Sequence, residues 1–99
     1  VFMSNSEAKN EIQINHDKQA KRFETTIEGQ TGYLSYQDKG NVLVYDHTIV
    51  PQALGGHGVG SALAKHALNY AREQNKKVVP QCSFVDAYIN KHPEYQDLV

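Results

Sequence analysis

The chain has 99 residues, with ten basic and eleven acidic side chains and a formal charge of −1 at neutral pH. This length predicts one domain with a modest core, and the balanced charge provides no basic surface of the kind that binds nucleic acid. No apolar run approaches the roughly 20 residues that a membrane helix needs. The single cysteine excludes an internal disulfide and is typical of a reducing compartment. We therefore expect a cytoplasmic protein without nucleic-acid or membrane partners.

The N-terminal half of the chain has the two-residue alternation that is typical of strands joined by tight turns. Residues 1–9 are polar and are expected to be a flexible N-terminus, followed by a single domain over residues 10–99. Apolar alternation predicts four strands, at residues 12–14, 23–27, 33–37 and 42–50. Glycine-containing turns at residues 28–32 and 38–41 separate the last three strands. This order predicts an antiparallel meander.

After Pro51 the apolar period changes from that of a strand to that of a helix. The apolar positions of this helix share one face: Val59, Leu63, Ala67 and Tyr70. The helix is expected to end near Asn75 and to be followed by a short buried strand at Val78–Val79. A last helix, with Ser83 as its N-cap, is expected to run to about His92. Because a strand, a helix and a strand follow one another, the fourth and fifth strands should be parallel.

Four glycines stand between the fourth predicted strand and the helix: Gly55, Gly56, Gly58 and Gly60. Glycine leaves room for a close ligand, and the first N–H groups of a helix have no intrahelical partner. This arrangement favours a bound phosphate or pyrophosphate. It is not a Rossmann fingerprint, because Ser61 takes the place of the third glycine, nor a P-loop, because the lysine before Ser61 is missing. A glycine-rich turn without a ligand is the alternative.

The glycine segment resembles motif A of the GNAT superfamily of acetyl-CoA-dependent N-acetyltransferases. Gly58 and Gly60 match the two small positions of that motif, whereas Gly55 stands where the family has glutamine or arginine. Three further segments are similar to a subgroup of very small GNAT-like proteins: Asp46-His47-Thr48, Pro80-x-Cys82-x-Phe84 and His92-Pro93-Glu94-Tyr95. Together these segments extend the resemblance over residues 10–99.

The resemblance implies an α/β fold of the α+β type, with a mixed sheet whose parallel fourth and fifth strands splay apart, and a C-terminal helix. It implies that acetyl-CoA binds with its pantetheine arm in the gap and its pyrophosphate on the loop Gly56–Ser61. The cofactor-binding residues that it implies are Ile49, Val50, Gly55, Gly56, His57, Gly58, Val59, Gly60 and Ser61. The implied reaction transfers the acetyl group to an amine of a small molecule or a protein. The alternatives are an acyl-CoA-binding or regulatory module with little turnover, and a protein-interaction domain without a cofactor.

Three side chains near the implied gap are candidates for catalysis, and each has a structural alternative. His47 is a candidate general base, because histidine titrates near neutral pH, or a strand histidine bonded to a neighbour. Cys82 is a candidate carrier of the acetyl group, with His47 as its base. The alternative is a space-filling side chain, because free cysteine is often buried and direct transfer to the amine is the family's usual route. Tyr88 is a candidate proton donor to the CoA thiolate, as a tyrosine is in many GNAT enzymes, or a core-packing residue. No histidine, cysteine and carboxylate set has metal-ligand spacing, so no metal is expected.

Overall fold

The computed structural model describes residues 12–54 and 58–99 of the chain. They form a five-stranded sheet with the strands in chain order. The strands are β1 (Asn15–Asp17), β2 (Arg22–Ile27), β3 (Gln30–Asp38), β4 (Val42–Ile49) and β5 (Lys77–Pro80). The helices are α1 (Val59–Glu73) and α2 (Ser83–Lys91), with 3₁₀ segments at Gln52–Leu54 and Pro93–Leu98. β1 to β4 pair antiparallel and β5 pairs parallel to β4, which confirms the predicted meander, the strand–helix–strand unit and the α+β fold class.

Several predicted boundaries are wrong by one to three residues. The third strand begins at Gln30 and not at Tyr33, because residues 30–32 of the predicted turn pair with β2. The first strand begins at Asn15, because Ile12 and Ile14 pack against the core without joining the ladder. Helix α2 begins at Ser83, but Cys82 and not Ser83 is its N-cap. Cys82 still has an extended backbone, with φ −76° and ψ 126°, and makes no side-chain cap bond. The helix therefore starts directly after Cys82, without a capping side chain.

Helix α1 lies against the sheet along small and aliphatic residues. Its buried face consists of Val59, Leu63, Ala64, Ala67, Leu68 and Ala71. These residues belong to the same buried cluster as Phe23, Leu34 and Tyr45 of the strands. The Tyr45 hydroxyl donates a hydrogen bond to the Ala67 carbonyl oxygen, and burial raises the pKa of that hydroxyl. This contact holds the middle of α1 over β4, the strand that leads into the glycine segment.

The helical segments share one face of the sheet. Val85 and Ile89 of α2 belong to the same buried cluster as α1, and so does Tyr95 of the last 3₁₀ segment. The Tyr95 hydroxyl also donates a hydrogen bond to Asn69 of α1 at 3.1 Å. The helices therefore pack on one another as well as on the sheet.

The opposite face of the sheet carries no helix in the part of the chain that the structure describes. We call it the open face. It is formed by side chains of β2 to β5 that point away from the helices: Glu24, Tyr33, Ser35, Gln37, Val44, Asp46, His47, Ile49 and Val79. Ile49 and Val79 are 49% and 41% exposed there.

His16 of β1 lies in an aromatic cluster between the sheet and α1. Its Nε2 atom lies 2.6 Å from the Tyr36 hydroxyl, and its ring stacks on Phe23 with 4.2 Å between the ring centroids. The Tyr70 ring of α1 meets it edge-on at 4.5 Å. Burial lowers the pKa of His16, and the positive charge of Lys18 lowers it further. The imidazole therefore joins the short first strand to the core in its neutral form.

Replacing His16 by a side chain that does not titrate should weaken the pH dependence of the free energy of unfolding below neutral pH. The pKa of His16 in the folded protein lies below the unfolded value of 6.5, so the folded state binds fewer protons. The free energy of unfolding must then fall as the pH drops from 6.5 through the folded pKa. In the His16→Gln variant this fall should be smaller. Urea unfolding of both proteins at several pH values between neutral and about pH 5 measures the free energy of unfolding. An equal decrease of this free energy with falling pH in the two proteins would contradict the expectation.

Candidate active site

Strands β4 and β5 pair over only the first half of β4. The last pair of the parallel ladder joins Tyr45 to Pro80, and the Cys82 N–H then donates to the Tyr45 carbonyl oxygen at 2.9 Å. Beyond this bond β4 continues beside β3 alone, while the chain after Cys82 turns into α2. The two strands therefore diverge. The β4 edge on that side has no ladder partner among the described residues.

A β-bulge in β4 follows directly after the last shared bond. Ser35 of β3 pairs with His47, but the next residue, Tyr36, pairs with Tyr45. Asp46 is thus an extra residue on β4 with no partner on β3. A bulge of this kind bends the strand and changes the direction of the side chains that follow it.

The bulge decides which side chains of β4 meet the helices. Asp46 and His47 both lie on the open face, and His47 is exposed. Thr48 stands opposite the buried Leu34 and so returns to the face that α1 and α2 cover. Ile49 lies again on the open face, so only its main chain is available on the gap side.

A cleft of about 420 Å³ lies between the end of β4 and the first turns of the two helices. Its lining residues are Thr48, Val50, Leu54, Gly58, Val59, Gly60, Ser61 and Phe84. Five of these were predicted as cofactor-binding residues: Val50, Gly58, Val59, Gly60 and Ser61. The predicted residues Gly55, Gly56 and His57 lie outside the described residues.

The two described glycines of the cleft are needed for different reasons. Gly58 precedes α1 with a φ of 74°, and among the described residues other than its chain neighbours no heavy atom lies within 4 Å of the position that a Cβ atom would take. At Gly60 a Cβ atom would lie 2.8 Å from Cζ of Phe84, so the ring of Phe84 rests on the bare backbone. The N-cap residue Gly58 makes no side-chain cap bond, and the first turn of α1 contains no acidic residue. Within the described part of the chain the cleft thus reaches the start of α1, where N–H groups and the helix dipole favour an anion.

Cys82 lies beside Thr48 rather than beside His47. The half-buried Cys82 thiol donates a hydrogen bond to the Thr48 hydroxyl oxygen at 3.2 Å, across the gap between the strands. His47 directly precedes Thr48 in the sequence, but its side chain lies on the opposite face of the sheet. The predicted pairing of the thiol with the imidazole is therefore not found, because the bulge at Asp46 separates the two side chains.

Tyr88 borders a second recess and not the cleft itself. This recess has a volume of about 100 Å³, and Ser61 and Phe84 line both it and the cleft. The Tyr88 ring stacks on His92 with 4.0 Å between the ring centroids. Partial burial, and then the negative charge of neighbouring acidic groups, raises the pKa of Tyr88, which keeps its proton at neutral pH.

Three lining residues were missing from the predicted site. Thr48 follows from strand alternation once the bulge at Asp46 is taken into account. Phe84 stands in one of the segments that carry the family resemblance, but nothing in the sequence indicates that its ring covers Gly60. Leu54 gives no recognisable pattern, because it enters the cleft through the 3₁₀ turn that follows β4.

The polar groups of the cleft are main-chain N–H groups, the hydroxyls of Thr48 and Ser61, and the neighbouring Cys82 thiol. Within residues 12–54 and 58–99, no group of three or more histidine, cysteine, aspartate or glutamate side chains is arranged to hold a metal ion. In the same part of the chain, no helix is both long and apolar enough to cross a bilayer.

Comparison with known proteins identifies relatives over most of the chain. A family model described as GCN5-related N-acetyl-transferase matches residues 22–98. The chain is 32% identical to Protein NATD1 of Mus musculus and 31% identical to Protein NATD1 of Homo sapiens, each over 85 residues. These alignments cover 83% of this chain and 77% and 75% of the two relatives.

A solved structure agrees with the family match in both sequence and fold. The solution structure of a GCN5-like protein from Staphylococcus aureus has a TM-score of 0.69 and 31% identity, and the match covers 97% of this chain and 89% of that chain. Since the family match also includes the glycine segment, both helices and strands β2 to β5, this chain belongs to the GCN5-related N-acetyltransferase family, as an enzyme of the acetyltransferase class.

Proposed function

We propose that this protein transfers the acetyl group of acetyl-CoA to an amine. The observation that carries the proposal is the meeting of two features in one cleft. Among the described residues, the end of β4 has no ladder partner on its β5 side and α1 begins without a side-chain cap, and both border the same space of about 420 Å³. The first feature suits an extended arm with amide groups, and the second suits a diphosphate.

Two main-chain features of the described residues support the binding of coenzyme A. We propose that the diphosphate binds at Gly58, Val59, Gly60 and Ser61, where the open space beside Gly58 allows a close approach to the main chain. The pantetheine arm would pair with the β4 main chain from Asp46 to Val50, on the side where β5 has diverged. Ile49 would contribute its main chain alone, because its side chain lies on the open face.

The reaction needs a proton acceptor on one side of the gap and a proton donor on the other. Acetyl-CoA supplies its acetyl group as a thioester: the amine nitrogen bonds to the carbonyl carbon, the C–S bond breaks, and CoA leaves as a thiolate that takes up a proton. We propose His47 as the base that accepts the amine proton, since it is exposed on the open face beside the gap. Tyr88 keeps its proton and borders the adjoining recess, and its role as donor to the thiolate stays a prediction.

Direct transfer is favoured over a covalent intermediate on Cys82. The thiolate, and not the thiol, is the nucleophile, so an acetyl carrier needs a base or a positive charge beside its sulfur. The Cys82 thiol instead donates its hydrogen bond to the Thr48 hydroxyl, and no hydrogen bond joins it to a base among the described residues. Cys82 is accordingly proposed as a wall of the cleft.

A binding module with little turnover is the second candidate function. The open face supports it, because no helix in the described part of the chain encloses the side from which an acceptor would enter. Release of CoA thiol in the presence of amines distinguishes the two functions, since a binding module would retain acetyl-CoA without releasing the thiol.

A side chain placed before the helix N-terminus should block the diphosphate. We expect the Gly58→Asn variant to bind CoA at least about tenfold more weakly than the parent protein, a loss of about 1.4 kcal/mol. Asparagine tolerates a positive φ, so the backbone turn survives while its side chain fills the open space. Calorimetry with CoA measures the affinity.

The matched control for this experiment is Gly29→Asn. Gly29 has a φ of 78°, close to the 74° of Gly58, and equally open surroundings, but it lies in the turn between β2 and β3. If both variants bind CoA as tightly as the parent, the N-terminus of α1 is not the diphosphate site.

Cys82 should not become acetylated during turnover. Intact-mass measurement after incubation with acetyl-CoA, without an acceptor, should detect no adduct of one acetyl group. The Cys82→Ala variant should keep kcat/KM within about tenfold of the parent, because it loses only a contact with the cleft wall. An adduct that forms on the parent, is absent from Cys82→Ala and is accompanied by loss of turnover in that variant would establish the covalent route instead.

A further inference from the structure

One carboxylate on the open face stands at the point where β4 and β5 separate. Asp46 follows Tyr45, whose carbonyl oxygen accepts the last hydrogen bond from the β5 side. Its side chain contacts Ser35 and Gln37, which belong to the open face, and not the residues of the cleft. A molecule that approaches the gap from the open face therefore meets Asp46 at the entrance.

Two neutral donors hold this carboxylate in place. Ser35 Oγ donates to Oδ1 of Asp46 at 2.7 Å, and Gln37 Nε2 donates to Oδ2 at 3.3 Å. Partial burial acts to raise the pKa of Asp46, but these hydrogen bonds outweigh it and hold the pKa below its ordinary value. Asp46 is thus an oriented anion at neutral pH.

Asp46 also differs from neighbouring carboxylates in its lack of a cationic partner. Glu24, on the same face, is paired with Arg22 at 2.6 Å. Asp38, at the end of β3, is paired with Lys76 at 3.0 Å. Within the described residues no lysine or arginine forms such an ion pair with Asp46. A half-buried carboxylate that is not neutralised attracts a cation from solution.

An apolar strip lies beside the carboxylate. Val79 of β5 is 41% exposed, and it pairs with Val44, which is 8% exposed and precedes Asp46 by two residues on β4. A ligand that matches both features has a positive end for the carboxylate and an aliphatic stem that contacts Val79.

We propose that Asp46 selects acceptors whose amine arrives as an aliphatic ammonium ion, carried by a free polyamine or by a lysine side chain. The inference rests on the proposed acetyl transfer and names the class of acceptor. Aliphatic amines have pKa values of about 10 and are cations at neutral pH, so Asp46 concentrates them at the gap. A weakly basic arylamine is neutral and gains nothing from the carboxylate. Asp46 acts in binding, and the neighbouring His47 takes the proton before the nitrogen attacks.

The test compares acceptors of different charge in the parent protein and in Asp46→Asn. With saturating acetyl-CoA, thiol release is measured for a linear diamine, a lysine-containing peptide and an aniline. In Asp46→Asn we expect KM to rise at least about tenfold for both aliphatic amines and to stay unchanged for the aniline. Added salt should raise KM for the aliphatic amines in the parent and should have little effect in the variant. The aliphatic acceptor with the higher kcat/KM names the source of the amine.

Glu24→Gln is the matched control, because it removes one negative charge from the same face at a carboxylate that Arg22 already neutralises. It should keep the parent's KM for every acceptor. Calorimetry with CoA should give equal affinities for the parent and Asp46→Asn, since the substitution leaves the main chain of residue 46 in place and changes only a side chain on the open face.

The outcomes separate this inference from the proposed function. The role of Asp46 is overturned, and acetyl transfer is left intact, if Asp46→Asn turns over with the parent's KM for the aliphatic amines. The same conclusion follows if KM rises equally for all three acceptors. An equal effect of Glu24→Gln overturns it as well, because general surface charge would then explain the preference. If the parent binds no CoA or transfers no acetyl group, the proposed function fails and this inference falls with it.

Discussion

The early end of the β4–β5 ladder is the constraint on which the rest of the structure depends. Pairing stops at Tyr45, the Cys82 N–H makes one further bond to that residue, and the chain then enters α2. Had the ladder continued, the main chain of β5 would occupy the edge of β4 that now borders the cleft. The contact between Tyr45 and α1 holds the other wall in position, so the opening is built into the packing of the core.

The bulge at Asp46 gives this opening two chemically different sides. On the helix side, Thr48 and the first turn of α1 provide hydroxyl and main-chain N–H groups, which suit a phosphorylated cofactor. On the open face, Asp46 and His47 provide a carboxylate and an imidazole, which suit an amine and its proton. A single inserted residue in one strand thus divides the proposed cofactor side from the proposed acceptor side. This division would let a small sheet with all its described helices on one face hold the two proposed reactants on different sides.

The meander and the strand–helix–strand unit could be predicted because they depend on local patterns that the chain repeats clearly. Apolar spacing from Val59 to Ala71 and the breaks at Gly40 and Pro80 need no tertiary information. A ligand site at the glycine segment could also be predicted from the sequence alone, because the conformational freedom of glycine depends only on the residue type. The family and its class of enzyme followed from that segment together with the three further segments that resemble the family, and the comparisons confirmed both.

The positions of the candidate catalytic side chains could not be predicted in the same way. The apolar and polar alternation of β4 conceals the bulge, so His47 was expected near Cys82 although it lies on the other face. The ring of Phe84 over Gly60 is a contact between two helices, and no pattern within either helix encodes it. Ile12 and Ile14 alternate like a strand, yet their packing and not a ladder explains their spacing. Each difference arises from tertiary contacts that override a local preference.

The most direct test of a cofactor site between β4 and β5 is a titration of the isotope-labelled protein with CoA. The backbone amide resonances are monitored by NMR during the titration. The account predicts that the largest shifts fall on two separate segments, Gly58–Ser61 at the start of α1 and Asp46–Val50 at the unpaired edge of β4. Amides of β1 and β2, which lie at the far edge of the sheet, should change little. Shifts confined to other surfaces, or no shifts at millimolar CoA, would contradict a cofactor site in the opening between β4 and β5.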